Sequence, residues 1–515
     1  MFSYFSIEQI LPLIPACILL SVSILFNTFQ KEKISLLLLF LGTLCLGIFI
    51  SLLDPFLILW DEQFHALVAK NMIQHPFEPM LYANPVIDYD FRNWNSNHIW
   101  LHKPPLFLWQ MALSMKVFGI NIVGVRFASV LLHAIIPLFI YRIGKISQNK
   151  DAGFYGALFF GVAYFPLELV AGRFSTDHND VAFMLYIAAS FWAFFEYLNS
   201  EKWKWIILIG VFAGCAVMVK WLTGLLVFAG WFIVILFDKS KRNNLHSFVK
   251  LLISIICSII IFIPWQMYIM NAFPKESQYE LALNAKHFFL PVEGHNGTWW
   301  YHLDAVRTLY GRGTLIPIIL LLASVYYCIK VKVKNFRIFY ISVITIVYLW
   351  FSIVATKMVS YCIIVSPLVF LAIGSLTNRI IEILMRNLNK WRNLSYLFSF
   401  SILFGICILL LNLPRIANYH TSWKPKDNFN REQSLIQMEK LRKLSLEIPD
   451  STYIIFNCDK FFNVPVMFFT GYTVYDFLPS EKQIENLQNE GYKIALMNVE
   501  SLPSYIKGKN ILIIK

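Results

Sequence analysis

Four short stretches of the chain gather the residue types from which catalysis is built. Trp60-Asp61-Glu62-Gln63 sets two carboxylates side by side, able to serve as general base, metal ligand or charge partner. A solvated helix cap is the plain structural use of such a pair. In His102-Lys103-Pro104-Pro105 a lysine is fixed just ahead of two prolines, and a compact ammonium held there suits a phosphate. A lysine stretching toward the headgroups is the bland reading. Arg173-Phe174-Ser175-Thr176-Asp177-His178-Asn179-Asp180 crowds more polar groups into one short connection than packing alone explains. Glu293-Gly294-His295-Asn296-Gly297-Thr298-Trp299-Trp300-Tyr301 surrounds one histidine with glycines and aromatics of the kind that contact sugars or lipid headgroups. Asn296-Gly297-Thr298 also matches a glycosylation sequon, a pattern too short to weigh much. Lys220 and Lys357 add positive charge near the ends of apolar runs.

The elements that must position these groups are membrane helices. Of the 515 residues 57% are apolar and only 15% charged, against about 25% charged in soluble domains. Lipid is the solvent such a composition needs. The net charge of +13 then reads as basic loops on one membrane face rather than as a nucleic-acid surface. A bilayer span needs about 20 mostly apolar residues. Runs of that kind lie near 10–28, 34–54, 123–142, 152–171, 181–199, 203–219, 221–238, 247–268, 314–330, 338–355, 359–378 and 394–412. The shorter stretch 105–118, which contains Lys116, reads as an interfacial helix, with a thirteenth span as the alternative.

Lys and Arg set the orientation. Lys31 and Lys33, then Arg142, Lys145 and Lys150, Lys202 and Lys204, Lys239, Lys241, Arg242 and Lys250, Lys330, Lys332, Lys334 and Arg337, and Arg379, Arg386, Lys390 and Arg392 fall in loops of the same side, which is therefore cytoplasmic. The two long loops and the tail face the other way. The expected organisation is two N-terminal spans (1–54), a first extracytoplasmic loop (55–122), a transmembrane core (123–412) with a second such loop (269–313), and a C-terminal extracytoplasmic domain (413–515). In that tail Tyr453–Phe456, Val464–Phe469, Ile494–Met497 and Ile511–Ile514 read as short strands among polar helices near 431–446 and 480–490, a small α/β domain. The cysteines lie singly in apolar runs, apart from Cys458 in the tail, and read as buried apolar residues.

Intramembrane and membrane-edge charges are costly and tend to serve function. Here they gather on the outer face and describe a site for an anionic, lipid-anchored substrate, with a carboxylate to move a proton. A lipid or glycan transporter is the competing class, but transporters place charges near the midplane of repeated, broken helices. No internal repeat stands out here. A scaffold whose tail binds partners is a third reading.

In this order the motifs resemble the polytopic glycosyltransferases that use polyprenyl-phosphate sugars, the group of the protein O-mannosyltransferases and the lipid A aminoarabinose transferases. The resemblance covers roughly residues 50–375. It runs from the Asp61-Glu62 pair through Lys103-Pro104-Pro105-Leu106, Phe118-Gly119 and Arg126 to Arg173 with Asp177 and Asp180. Lys220-Trp221-Leu222-Thr223-Gly224, Pro264-Trp265, Gly294-His295, and Lys357 with Tyr361 and Pro367 complete it. It implies the GT-C fold, all-α and polytopic with about 12–13 spans, and an inverting transfer from a polyprenyl-phosphate-linked sugar to a hydroxyl of a lipid, protein or glycan. The resemblance assigns catalysis to Asp61, Glu62, Asp177 and Asp180, with Asp61 as general base. It assigns substrate binding to Lys103, Arg173, Lys220, His295, Lys357 and Tyr361. No cofactor is required, though a divalent metal (zinc, magnesium or manganese) is an option, with His102 and His295 as its ligands. His102 stands where one branch of the family has an acidic residue, and His178 lies outside the pattern. The expected location is the bacterial inner membrane, the partners are the bilayer, donor and acceptor, and no nucleic acid is expected. A ligase or polymerase of lipid-linked oligosaccharides is the alternative within the same architecture.

Overall fold

The computed structural model describes residues 4–388, 392–421, 429–448, 452–497, 503–506 and 509–514. Among them nine helices are long and apolar enough to cross a membrane, or ten if the bent pair Lys150–Val162 and Tyr164–Val170 is one span. The twelve expected runs are all helical, and the lower count has local causes. The run at 152–171 bends by 51° at Ala163. Those at 203–219 and 221–238 form one long helical stretch, Trp203–Phe237, interrupted by the 3₁₀ turn Trp221–Leu225. The run at 314–330 is the shorter helix Ile316–Lys330. Leu106–Phe118 has 13 residues, about 20 Å of helix against about 30 Å of hydrocarbon, so it is an apolar helix too short to span.

The chain divides into two units. The first comprises residues 1–53, 129–272 and 280–417 and holds most of the apolar helices. Many of its large side chains point outward, Ile260 at 63% and Leu409 at 78% exposure among them, as lipid-facing residues do. Its helices meet through small residues. A methyl group on Gly374 would fall 2.2 Å from the backbone nitrogen of Gly156, so Lys150–Val162 and Ser366–Asn387 are in backbone contact there, the packing mode of membrane helices.

The second unit comprises residues 54–128, 273–279 and 418–515. Its sheet is wholly parallel, in the order β2-β1-β3-β4, with β1 Tyr453–Phe456, β2 Thr473–Val474, β3 Lys493–Met497 and β4 Ile511–Ile514. Three of the four expected strands are therefore present, and Val464–Phe469 is not one. It belongs to the helix Asn463–Thr470, buried from Asn463 through Phe468. A wholly buried apolar run has no period to read, and Pro465 has no N–H to give a ladder. Gly471, at φ +80°, ends that helix. The helix packs on Asp61–Asn71, and Lys70 Nζ donates to the carbonyls of Met467 at 2.9 Å and Phe468 at 2.7 Å. Tyr82 stacks on Tyr475 and donates to the carbonyl of Val474 at 2.9 Å. Residues of the first loop and of the tail thus share one core.

Candidate functional site

Asp61 is the first residue of the helix Asp61–Asn71 and remains half-buried, whereas Glu62 beside it is wholly buried. Glu62 takes both arms of Arg126, from Nε at 2.6 Å and Nη2 at 2.9 Å, with their side chains 0% and 1% exposed. The backbone N–H of Ile58 donates to the same carboxylate at 2.6 Å. Arg126 also donates to the carbonyls of Asp54 and Phe56, each at 2.8 Å. One guanidinium therefore ties down the whole segment that leads to Asp61.

Asp54 extends that network within the same unit. It accepts from His420, and from Arg431 Nε at 2.8 Å. Burial by itself would raise the Asp54 carboxyl, but His420, Arg126 and Arg431 outweigh it and hold the group below the usual carboxylate range. Phe461, in the loop after β1, packs on Trp60 with ring centroids 4.7 Å apart. Lys103 lies just ahead of the helix Leu106–Phe118 and has no carboxylate partner among the described residues. His102 stacks on Trp94 at 5.1 Å and meets Trp100 edge-on.

A second cluster forms in the other unit. Lys220 Nζ contacts Asp180 Oδ1 at 2.5 Å and lies 5.3 Å from the centre of the Tyr361 ring. Thr176 donates to Asp180, and its hydroxyl meets that of Ser360 at 2.9 Å. Asp177 instead accepts from the backbone N–H of His178, whose ring bonds Ser129 at 2.8 Å. Of the two aspartates that spacing could not separate, Asp180 is the one paired with Lys220. Arg173 is paired with the buried Glu168 at 3.1 Å and stacks on Phe174. Lys357 caps the helix Lys334–Ile353, donating to the carbonyls of Phe351, Ser352 and Val354 at 2.6–2.8 Å. Burial lowers its ammonium pKa from the ordinary value. The carbonyl of His295 accepts from Lys357 N at 3.0 Å, so His295 enters this cluster through its backbone.

Sequence reasoning stopped one residue short in the aromatic loop. His302 follows Tyr301, is fully buried, and lies in ring contact with Tyr361 and Phe351. Nothing in its spacing marks it, because a histidine after a run of aromatics reads as packing.

Three of the nine non-glycine residues with positive φ among those described lie at these places. Trp60 (φ +76°), Thr176 (φ +72°) and Trp221 (φ +54°) are left-handed without being glycine. Each adjoins a candidate residue: Asp61, Asp177 and Lys220. Such conformations cost about 1–3 kcal/mol apiece and cluster where function requires them. Among the described residues no group of three or more His, Cys, Asp or Glu side chains is placed to share a metal ion.

Residues 102–268 match the profile of the dolichyl-phosphate-mannose-protein mannosyltransferases. An uncharacterised protein of Aquifex aeolicus is 27% identical over 173 residues, 33% of this chain and 31% of its own length. The undecaprenyl phosphate-α-4-amino-4-deoxy-L-arabinose arabinosyl transferase of Pseudomonas savastanoi pv. phaseolicola is 26% identical over 221 residues, 41% of this chain and 40% of its own. The chain thus spans well under half the length of these relatives. Likeness of fold reaches further. ArnT from Cupriavidus metallidurans, solved with undecaprenyl phosphate, aligns over 88% of both chains with TM-score 0.57 and 13% identity. The archaeal oligosaccharyltransferase AglB from Archaeoglobus fulgidus, solved with an inhibitory peptide and a dolichol-phosphate, aligns over 89% of this chain and 68% of its own, with TM-score 0.51 and 10% identity. By its matched segment and by its fold, the chain is an integral membrane protein of GT-C architecture, similar to the polyprenyl-phosphate-sugar glycosyltransferases that its ordered motifs resemble.

Proposed function

We propose that this protein transfers a sugar from a polyprenyl-phosphate donor to a hydroxyl of a lipid, protein or glycan at the extracytoplasmic face of the membrane. The observation that carries this reading is the division of labour in the first carboxylate pair. Arg126 and Ile58 hold the buried Glu62, and this fixes the helix start at which Asp61 lies half-buried behind a strained tryptophan. Asp61 accepts the proton of the acceptor hydroxyl as its oxygen bonds to the anomeric carbon. The bond from that carbon to the phosphate oxygen breaks from the opposite face, inverting the configuration, and polyprenyl phosphate departs as an anion.

Lys103 is the point charge of the same loop for that phosphate, and charge placed where it develops is usually the largest catalytic term. By the same resemblance Lys220, Lys357 and Arg173 are assigned to the donor, Lys357 contributing charge alone because its three N–H groups are spent on backbone carbonyls. Asp180 aligns Lys220 rather than acting as a base. The relatives named for lipid-phosphate sugars support this donor class.

The test is sugar transfer by purified, lipid-reconstituted protein. A panel of radiolabelled polyprenyl-phosphate sugars and one lipid-linked oligosaccharide would be offered to wild type and Asp61→Asn. Loss of a general base should lower kcat by about 10²–10⁴-fold with donor KM little changed, because the interaction exists only in the transition state. A variant as active as wild type would remove Asp61 from the chemistry. Consumption of the oligosaccharide alone would move the protein to the ligase class, and consumption of no donor would favour the transporter.

A further inference from the structure

His302 is a buried titratable group to which the proposed chemistry gives no task. It is the second residue of the helix Tyr301–Tyr310 and is 0% exposed. Neither Nδ1 nor Nε2 meets a hydrogen-bond partner among the described residues. Leaving buried polar atoms unmet costs about 1–3 kcal/mol each, so a native protein retains such a group where something else meets it. Its surroundings are rings and one cation. Tyr301 lies edge-on at 5.1 Å, Phe351 at 5.9 Å, and Tyr361 is stacked at 6.3 Å with 22° between planes. Burial, with the nearby Lys357 charge, pushes the imidazole down to about 4, so the ring is neutral at physiological pH.

The same tyrosine joins His302 to the charged cluster. The Tyr361 ring has Lys220 Nζ 5.3 Å from its centre, and Lys220 is paired with Asp180. The glycine-rich loop closes on this place as well. A methyl group on Gly297 would fall 2.6 Å from the Tyr301 ring and 3.1 Å from Lys357 Cγ. Beside that loop Trp299 and Trp300 are exposed at 53% and 61%.

We propose that His302 is a specificity residue that reads the ring substituents of the donor sugar, hydrogen-bonding one hydroxyl or amino group, with Tyr361 beside it. The inference rests on the donor class proposed above. A neutral imidazole offers one donor and one acceptor. That pair complements a sugar hydroxyl, which both gives and takes a hydrogen bond. It suits a phosphate poorly, since a phosphate diester only accepts, and lysines are at hand for it. A purely structural histidine would use its ring nitrogens on the protein, as His178 does on Ser129.

The experiment compares wild type with His302→Phe, both full-length and lipid-reconstituted. Polyprenyl-phosphate donors lacking one ring hydroxyl at a time are the probes, and kcat/KM for the cognate donor over each deoxy analogue is the readout. Wild type should discriminate strongly against one analogue. His302→Phe should lose about tenfold or more of that discrimination, the loss of a single well-placed hydrogen bond, while binding of bare polyprenyl phosphate stays within twofold. Should His302→Phe fail to accumulate folded, His302→Leu carries the same comparison, and His302→Gln, with a donor and an acceptor retained, should stay near wild type. Unchanged discrimination against every analogue would overturn the proposal. So would a matching loss of bare polyprenyl phosphate binding, which would assign the residue to the phosphate or to packing. A wild type that consumes no sugar donor would sink the donor class and this inference together, an outcome distinct from an active enzyme whose selectivity ignores His302.

Discussion

Replacing Arg126 by methionine tests whether one guanidinium holds the approach to Asp61. The change leaves the Glu62 carboxylate, 0% exposed, without its counter-charge, and frees the carbonyls of Asp54 and Phe56. Breaking a buried pair by removing one partner costs about 3–5 kcal/mol. At about 1.4 kcal/mol per decade, that is roughly two to three and a half orders of magnitude in the opening equilibrium of the segment. The N–H of Ile58 reports it directly, because its acceptor is Glu62 Oε2 at 2.6 Å. Amide hydrogen exchange at Ile58 should therefore lose about 10²–10³-fold of its protection. The Asp90–Arg92 pair is also bidentate, but its side chains are 47% and 64% exposed, and Arg92→Met should leave exchange at Ile58 unchanged. In helix Asp61–Asn71 the double variant Arg126→Met/Glu62→Leu should regain more than half of the lost protection, since an apolar pair leaves no stranded charge. Transfer activity of Arg126→Met should fall about a hundredfold, the effect of misplacing a catalytic group by about 1 Å. Protection at Ile58 within threefold of wild type would refute the reasoning, because a carboxylate that tolerates burial alone was never held by Arg126.

Two further outcomes follow from burial. The His302 pKa is lowered in the folded state, from 6.5 to about 4, so the unfolded chain binds the extra proton and stability falls as pH drops through that window. Relative to His302→Gln, wild type should lose at most about 1.4 kcal/mol per pH unit there, read from unfolding midpoints at pH 7.5 and 5. Gly374→Ala should cost about 1–3 kcal/mol and Gly374→Leu should abolish folded protein in detergent by size-exclusion fluorescence, because a methyl group already lands on the backbone of Gly156.

What the sequence made legible follows from what lipid demands. Unbroken apolar runs locate membrane helices because no other element satisfies its backbone there, and the runs at 34–54 and 247–268 are the helices Glu32–Ser51 and Leu245–Ala272. Broken geometry is less visible, since the bend at Ala163 and the 3₁₀ turn at Trp221 interrupt runs that stay apolar throughout. At the candidate site the residue types stood out while their pairing did not. Asp61 and Glu62 are equivalent as letters, and only the arrival of Arg126, 64 positions away, separates them. Asp180 is separated from Asp177 by Lys220, 40 positions on. Such choices are made by tertiary contact, and neighbours along the chain carry no record of them. His302 was illegible for the same reason, its distinction being the partners it lacks.

The discontinuous second unit has a consequence for how the protein is made. Asp54 meets His420 across 366 positions, and Lys70 meets Phe468 across 398. At about 5–20 residues per second of synthesis, the first loop stands for roughly 20–80 s before its partners leave the ribosome. Through that interval the acid-bearing segment lacks the helix it will pack on, and its apolar face stays uncovered, the condition in which chains aggregate. Synthesis that stalls before residue 418 would leave the membrane helices inserted with the first loop unfinished, a species marked for proteolysis.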